Sequence, residues 1–148
     1  HGARTGPGMD IFFSGSIRGG RDDAALYRGI IEMLGDYGDV LTEHVGGEDV
    51  EAKEAAVGLS DDDIYQQDVA WLRQADAVVA EVTTPSLGVG YELGRAVAWG
   101  TPVCCLYRPA SEHELSAMVR GNDAVTVEEY DDPEELEPTL GAFLDRHS

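Results

Sequence analysis

A chain of 148 residues with 43% hydrophobic content has the length of one domain and enough apolar material to bury a core. Its formal net charge is −19, with Lys53 the only lysine, which argues against nonspecific binding to nucleic acid or to an anionic membrane. No apolar run approaches the ~20 residues needed to span a bilayer.

The acidic residues are spread along the chain rather than gathered in a tail. They predict a solvated acidic coat of the kind suited to high salt, where repulsion among carboxylates is screened. Residues His1 to Gly8 lack periodicity and read as an expression remnant or a disordered arm, leaving 9–148 as the domain. Asp10 to Ser14 reads as a first strand, ending in the turn Gly15-Ser16-Ile17-Arg18-Gly19-Gly20-Arg21. Asp22 or Asp23 then caps a helix to about Tyr37, with Leu26, Tyr27, Ile30, Ile31 and Leu34 on its apolar face. Val40 to His44 is a short second strand, and Val45 to Leu59 an aperiodic connection expected to form a mobile flap.

Ser60 followed by Asp63 has the form of a capping box, opening a helix that turns Ile64, Val69 and Leu72 inward. Ala77 to Ala80 is a buried strand, followed by a Pro/Ser/Gly loop and a helix expected over Gly90 to Trp99, with Glu92 in its first turn. Val103 to Tyr107 is a fourth strand, Glu112 to Arg120 a short helix, Ala124 to Val127 a fifth strand, and Pro133 to Arg146 a closing helix. The alternation predicts an α/β fold: a single doubly wound, Rossmann- or flavodoxin-like sheet of five parallel strands. Helices cover both faces, and a ligand crevice lies at the carboxyl ends of the strands. Cys104 and Cys105 are neighbours on a strand, so they point to opposite faces and cannot form an ordinary bridge. That fits a reduced, cytoplasmic interior, and no metal-ligand spacing is present.

Three loops should meet at the crevice: Gly15 to Arg21, His44 onward, and Thr83 to Gly90. In the first, backbone amides, the Ser16 hydroxyl and Arg18 can hold a phosphate, and in so acidic a chain a cation has special value for attracting an anion. The alternative leaves Arg18 and Arg21 as solvated partners of Asp22 and Asp23. His44 ends its strand beside the crevice, where a lone histidine is more often a structural hydrogen bonder than a catalyst. Asp68 is a helix-surface acid unless it faces the crevice, where it and Glu92 form a carboxylate pair suited to glycosidic cleavage. The alternative for Glu92 is a carboxylate that only complements the helix dipole.

The segments GSIRGG (from Gly15), LTEH (from Leu41), Gln67-Asp68, DAVVAEVT (from Asp76), PSLGVGYELGRA (from Pro85) and LSAM (from Leu115) occur in one order between about Ile11 and Gly121. Together they make the chain resemble the 2′-deoxynucleoside 5′-phosphate N-hydrolases, relatives of the nucleoside 2-deoxyribosyltransferases. The resemblance implies a cofactor-free homodimer that cuts the bond between the base and 2-deoxyribose 5-phosphate. Glu92 would be the nucleophile, forming a covalent sugar intermediate, and Asp68 would protonate the leaving base and then activate water. Ser16, Arg18, Gly19 and Ser86 would hold the 5′-phosphate, with Gly15, Ile17 and Gly88 beside them and Ser116 arriving from the partner subunit. His44 would lie near the base. The family commonly places a tyrosine three residues before the loop glycine; here Phe12 keeps an aromatic wall and lacks the hydroxyl. A transferase, or a nucleotide-binding sensor without turnover, are the alternatives.

Overall fold

The structure, a computed structural model, describes residues 8–16, 20–42 and 60–148. Strands β1 (Met9–Gly15), β2 (Gly38–Leu41), β3 (Ala77–Glu81), β4 (Val103–Tyr107) and β5 (Val125–Glu129) form one sheet in the order β2-β1-β3-β4-β5. Every pairing is parallel, as expected from the alternation of strands and helices. The helices are α1 (Gly20–Gly35), α2 (Asp61–Gln74), α3 (Leu87–Ala98), α4 (Ala117–Arg120) and α5 (Leu136–His147), with a 3-10 turn at Pro133–Glu135.

Side-chain alternation divides the core into two layers. Ile11, Phe13, Val79, Cys104 and Leu106 pack against Ile30 and Leu34 of α1 and Leu140 and Phe143 of α5. Phe12, Val78, Ala80 and Cys105 pack against Leu72 of α2 and Val89, Leu93 and Ala96 of α3. The adjacent cysteines therefore enter opposite layers as free, buried thiols.

Local signals set most boundaries. The Ser60 hydroxyl accepts from Asp63 N–H at 3.1 Å, and Ser60 N–H donates back to Asp63 at 3.3 Å, so the expected capping box is complete. Helix α3 starts earlier than expected, because Ser86 takes the N-cap position and accepts from Val89 N–H. Gly100, at φ 77°, follows the C-cap Trp99 and ends α3 in the left-handed region. The helix expected over Glu112 to Arg120 shrinks to the single turn of α4. Tyr107 Oη donates to His113 O at 2.6 Å and His113 N–H donates to Ser111 Oγ, which fixes the segment before Ser116 outside a helix. Strand β2 begins at Gly38 and ends at Leu41, one residue before the buried Thr42; the rest of the expected continuation to His44 and the flap to Leu59 lie outside the described residues.

Candidate active site

Helix periodicity builds the first recess. On α2, Asp61, Ile64, Tyr65, Asp68, Val69 and Leu72 recur at helical spacing, and on α3 Gly88, Tyr91 and Glu92 do the same. The two faces oppose each other around a cavity of about 250 Å³, with Asp68 and Glu92 both half-buried in its lining. Because α3 begins at Leu87, Glu92 stands beyond the first turn, which contains no acidic residue. Complementing the helix dipole, an effect confined to that turn, does not explain it.

Glu92 is held from the sheet. Ser14 Oγ donates to Glu92 Oε1 at 2.6 Å, within the range of strong hydroxyl–carboxylate bonds. Ser14 shares a face of β1 with Phe12, two residues earlier, and both point toward α2 and α3. Phe12 is only 3% exposed; it belongs to the core beneath the cavity and is not part of the cavity lining. Gly88 does line the cavity, on the turn before Glu92.

Two aromatic hydroxyls stand at the rim. Tyr65 and Tyr91, one from each helix, place their oxygens 3.1 Å apart. Arg95 Nη1 donates to Tyr91 at 2.6 Å and to Tyr65 at 3.3 Å, while its guanidinium stacks over Trp99. The hydrogen bond with Tyr91, then that from Arg95, lowers the Tyr65 hydroxyl below its ordinary value.

A second polar cluster ties down the strand ends on the other face of the sheet. Glu81, fully buried at the end of β3, accepts from Thr83 N–H at 2.9 Å, Thr83 Oγ1 at 2.8 Å and Tyr130 Oη at 2.5 Å. Arg108 Nε lies 3.4 Å from Glu81 Oε2 as an ion pair without a hydrogen bond, and Arg108 Nη2 reaches Asp23 Oδ1 at 3.1 Å. Thr84 Oγ1 completes the cluster by donating to Asp23 Oδ2 at 2.9 Å. Asp23 is thus a buried partner of Arg108 and Thr84 inside α1, which begins at Gly20, and this corrects its reading as a candidate cap of that helix. Burial, followed by the charge of Glu81, raises both Tyr27 and Tyr130. Tyr27 packs so closely under the end of β1 that a Cβ on Gly15 would come within 2.9 Å of its ring. The cluster fixes the Thr83–Thr84 turn that leads to Ser86 and α3.

The expected phosphate residues are distributed unevenly. Ser16 is buried just past β1, while Ile17, Arg18, Gly19 and His44 lie outside the described residues. Ser86 and Ser116 line a different recess, a groove of about 570 Å³ between α3 and α4 that Leu115, Val119 and Val125 also line. Leu87 and Met118 in its lining are 96% and 84% exposed. Each serine also caps its helix, Ser116 accepting from Met118 N–H at 3.1 Å. Among the described residues no cluster of three or more His, Cys, Asp or Glu is placed to hold a metal ion, and no helix is long and apolar enough to cross a membrane.

Sequence reasoning missed Ser14, the rim tyrosines and the Glu81 cluster. The available signal was a polar residue at the end of an otherwise apolar strand, present at both Ser14 and Glu81.

The family model described as nucleoside 2-deoxyribosyltransferase matches residues 11–136. A curated relative from Mus musculus, 5-hydroxymethyl-dUMP N-hydrolase, is 60% identical over 111 residues, covering 75% of this chain and 64% of that protein, just under two thirds of its length. The Homo sapiens protein of the same name is 50% identical over 140 residues, covering 93% of this chain and 78% of its own. Among solved structures, the CMP N-glycosidase of Clostridium botulinum superposes with a TM-score of 0.66 at 18% identity, over 90% of this chain and 98% of that one, a likeness of fold. On the extent of the family match and the identity to these relatives, the chain belongs to the nucleoside 2-deoxyribosyltransferase family.

Proposed function

We propose that the chain hydrolyses the N-glycosidic bond of 2′-deoxynucleoside 5′-monophosphates, releasing the free base and 2-deoxyribose 5-phosphate. The observation that carries this reading is that Asp68 and Glu92, from two helices, line one cavity of about 250 Å³. Two carboxylates on one recess are the equipment for glycosidic cleavage. The names of relatives at 50–60% identity point the same way.

In this mechanism a Glu92 oxygen attacks C1′ as the C1′–N bond breaks, and Asp68 delivers its proton to the departing base. Water then attacks C1′; Asp68 takes the water's proton, the ester to Glu92 breaks, and the sugar leaves with a hydroxyl at C1′. Ser16, Arg18, Gly19 and Ser86 bind the 5′-phosphate, with Gly15, Ile17 and Gly88 shaping the approach and His44 beside the base. The working unit is a homodimer in which Ser116 of the partner subunit completes the phosphate site. Support comes from the α3–α4 groove, which carries Ser86, Ser116 and the exposed Leu87 and Met118 on one surface. The two buried free thiols support work in a reducing compartment.

The test is base release from a panel of deoxynucleoside monophosphates, including 5-hydroxymethyl-dUMP, each run beside its unphosphorylated nucleoside. Phosphorylated substrates should be cleaved and nucleosides barely touched, while Asp68→Asn should lose most rate on bases that leave poorly. Equal activity on nucleoside and nucleotide would remove the phosphate assignment. A second base that captures the sugar in competition with water would favour transfer, the activity in the family's description.

A further inference from the structure

We infer that Ser14 is the positioning residue for Glu92, setting which carboxylate oxygen attacks the sugar; this rests on the reading of Glu92 as nucleophile. The Ser14 hydroxyl is 2.6 Å from Glu92 Oε1 and the residue is 4% exposed. It sits on β1, which pairs on both sides with β2 and β3, and Ser14 itself is in register with Ala80. A donor on that strand has little freedom to move.

Glu92 needs such an anchor. The terminal torsion of a glutamate is broad and nearly two-fold, so the helix alone does not choose the plane of the carboxylate. A hydrogen bond to Oε1 chooses it and assigns the attack to Oε2. When the ester to C1′ forms through Oε2, Oε1 becomes its carbonyl oxygen and loses charge, so the bond from Ser14 weakens. It regains strength as water releases the carboxylate. Ser14 therefore orients the first step and helps the second by stabilising the leaving carboxylate. Phe12, the other residue of β1 pointing toward α2 and α3 near this end, has no hydroxyl with which to do either.

Steady-state kinetics of Ser14→Ala, Ser14→Cys and Ser14→Thr, beside Glu92→Gln, test this on a deoxynucleoside monophosphate that the wild-type protein cleaves. Cysteine keeps nearly the shape of serine and is a weak donor, so it guards against a packing defect in the alanine variant. Ser14→Ala and Ser14→Cys should lower kcat roughly 10- to 100-fold, the scale of a misplaced reacting group, with KM within about twofold of wild type. Ser14→Thr, which retains the hydroxyl, should recover most of the rate. Wild-type kcat in Ser14→Ala or Ser14→Cys with an inactive Glu92→Gln would overturn the role of Ser14 alone. Wild-type kcat in Glu92→Gln would overturn the nucleophile reading and the positioning role with it. Loss of rate in Ser14→Thr equal to that in Ser14→Ala would also overturn it, because the hydroxyl would then not be what matters.

Discussion

Arg108 Nη2 and Asp23 Oδ1 meet at 3.1 Å although 85 residues separate them, joining the end of β4 to the first turns of α1. The same guanidinium faces Glu81, which has no exposure. Removing it leaves two buried carboxylates without a cation among the described residues. Arg108→Met should destabilise the fold by about 2–4 kcal/mol, somewhat below the ~3–5 kcal/mol of a fully buried broken pair, since the Arg108 side chain is 28% exposed. At ~2–4 °C per kcal/mol for a chain near this size, the melting temperature should fall by roughly 5–15 °C, and adding Glu81→Gln should recover part of it. An unchanged melting temperature in Arg108→Met would show that the cluster contributes nothing to stability.

Subunit mixing tests the shared site. Chains carrying Glu92→Gln are refolded together with chains carrying Ser116→Ala, so that subunits exchange. If Ser116 acts across a two-fold interface, each mixed dimer has one doubly damaged site and one intact site. Random mixing makes about half the dimers mixed, so roughly a quarter of all sites should regain wild-type behaviour at low substrate. No recovery would place Ser116 in its own subunit's site, and a monomer by light scattering would end the dimer proposal.

Net charge makes a separate prediction. With a formal charge of −19, self-repulsion destabilises the compact state at low ionic strength. The melting temperature should rise as sodium chloride is added from millimolar toward molar concentration, most steeply while the Debye length is falling through ~10 Å. A flat or falling curve would remove the proposal that the surface is adapted to brine.

The buried thiols set an alkaline limit. Burial pushes Cys105 up to about 12, and burial followed by the neighbouring Cys105 and Glu128 does the same for Cys104. Below the ordinary thiol value of ~8.5 both folded and unfolded chains keep these protons, and their contribution to stability is fully present. Above it the unfolded chain releases protons that the folded chain retains, so stability falls as pH rises toward 12. The slope should reach about 1.4 kcal/mol per pH unit for each thiol, with Tyr27 and Tyr130 steepening it above pH ~10. Melting temperatures measured from pH 7 to 11 should show the decline, and Cys105→Ala should flatten it. Equal slopes in both proteins would mean that the thiol is not protected.

Local pattern carried most of the fold. The apolar runs at Ile11 to Phe13 and Ala77 to Ala80 and the Ser60–Asp63 box each contain their own explanation, so the strands, most helices and the parallel sheet were legible. The Asp68–Glu92 recess was legible in part, because helical spacing tells which residues share a face. What stayed hidden depends on contacts distant in sequence. Ser14 reads only as the polar end of a strand until α3 is laid over it, and the resemblance directed attention to the hydroxyl absent from Phe12. Asp23 and Arg108 have no local signature as a pair. Ser86 and Gly88 read as one loop, yet they line different recesses. Once Ser86 caps α3, successive residues are rotated by about 100° each, and two positions apart is nearly the opposite side of the helix.

The sheet order also governs when the site can come into being. β1 finds its partner β3 only after a long stretch of chain, as shown by Asp10 and Asp76, 66 residues apart and hydrogen-bonded; the Ser14–Glu92 contact spans 78. Closing so large a loop costs entropy before any contact offsets it, and parallel pairing of this kind is slow. Local helices such as α2, with its complete cap, form quickly, while the glutamate acquires its anchor only when the central strands dock. On the ribosome, no chain shorter than Glu92 can assemble the pair. During refolding, helical signal should therefore rise before activity returns, by an interval set by the docking of β1 on β3.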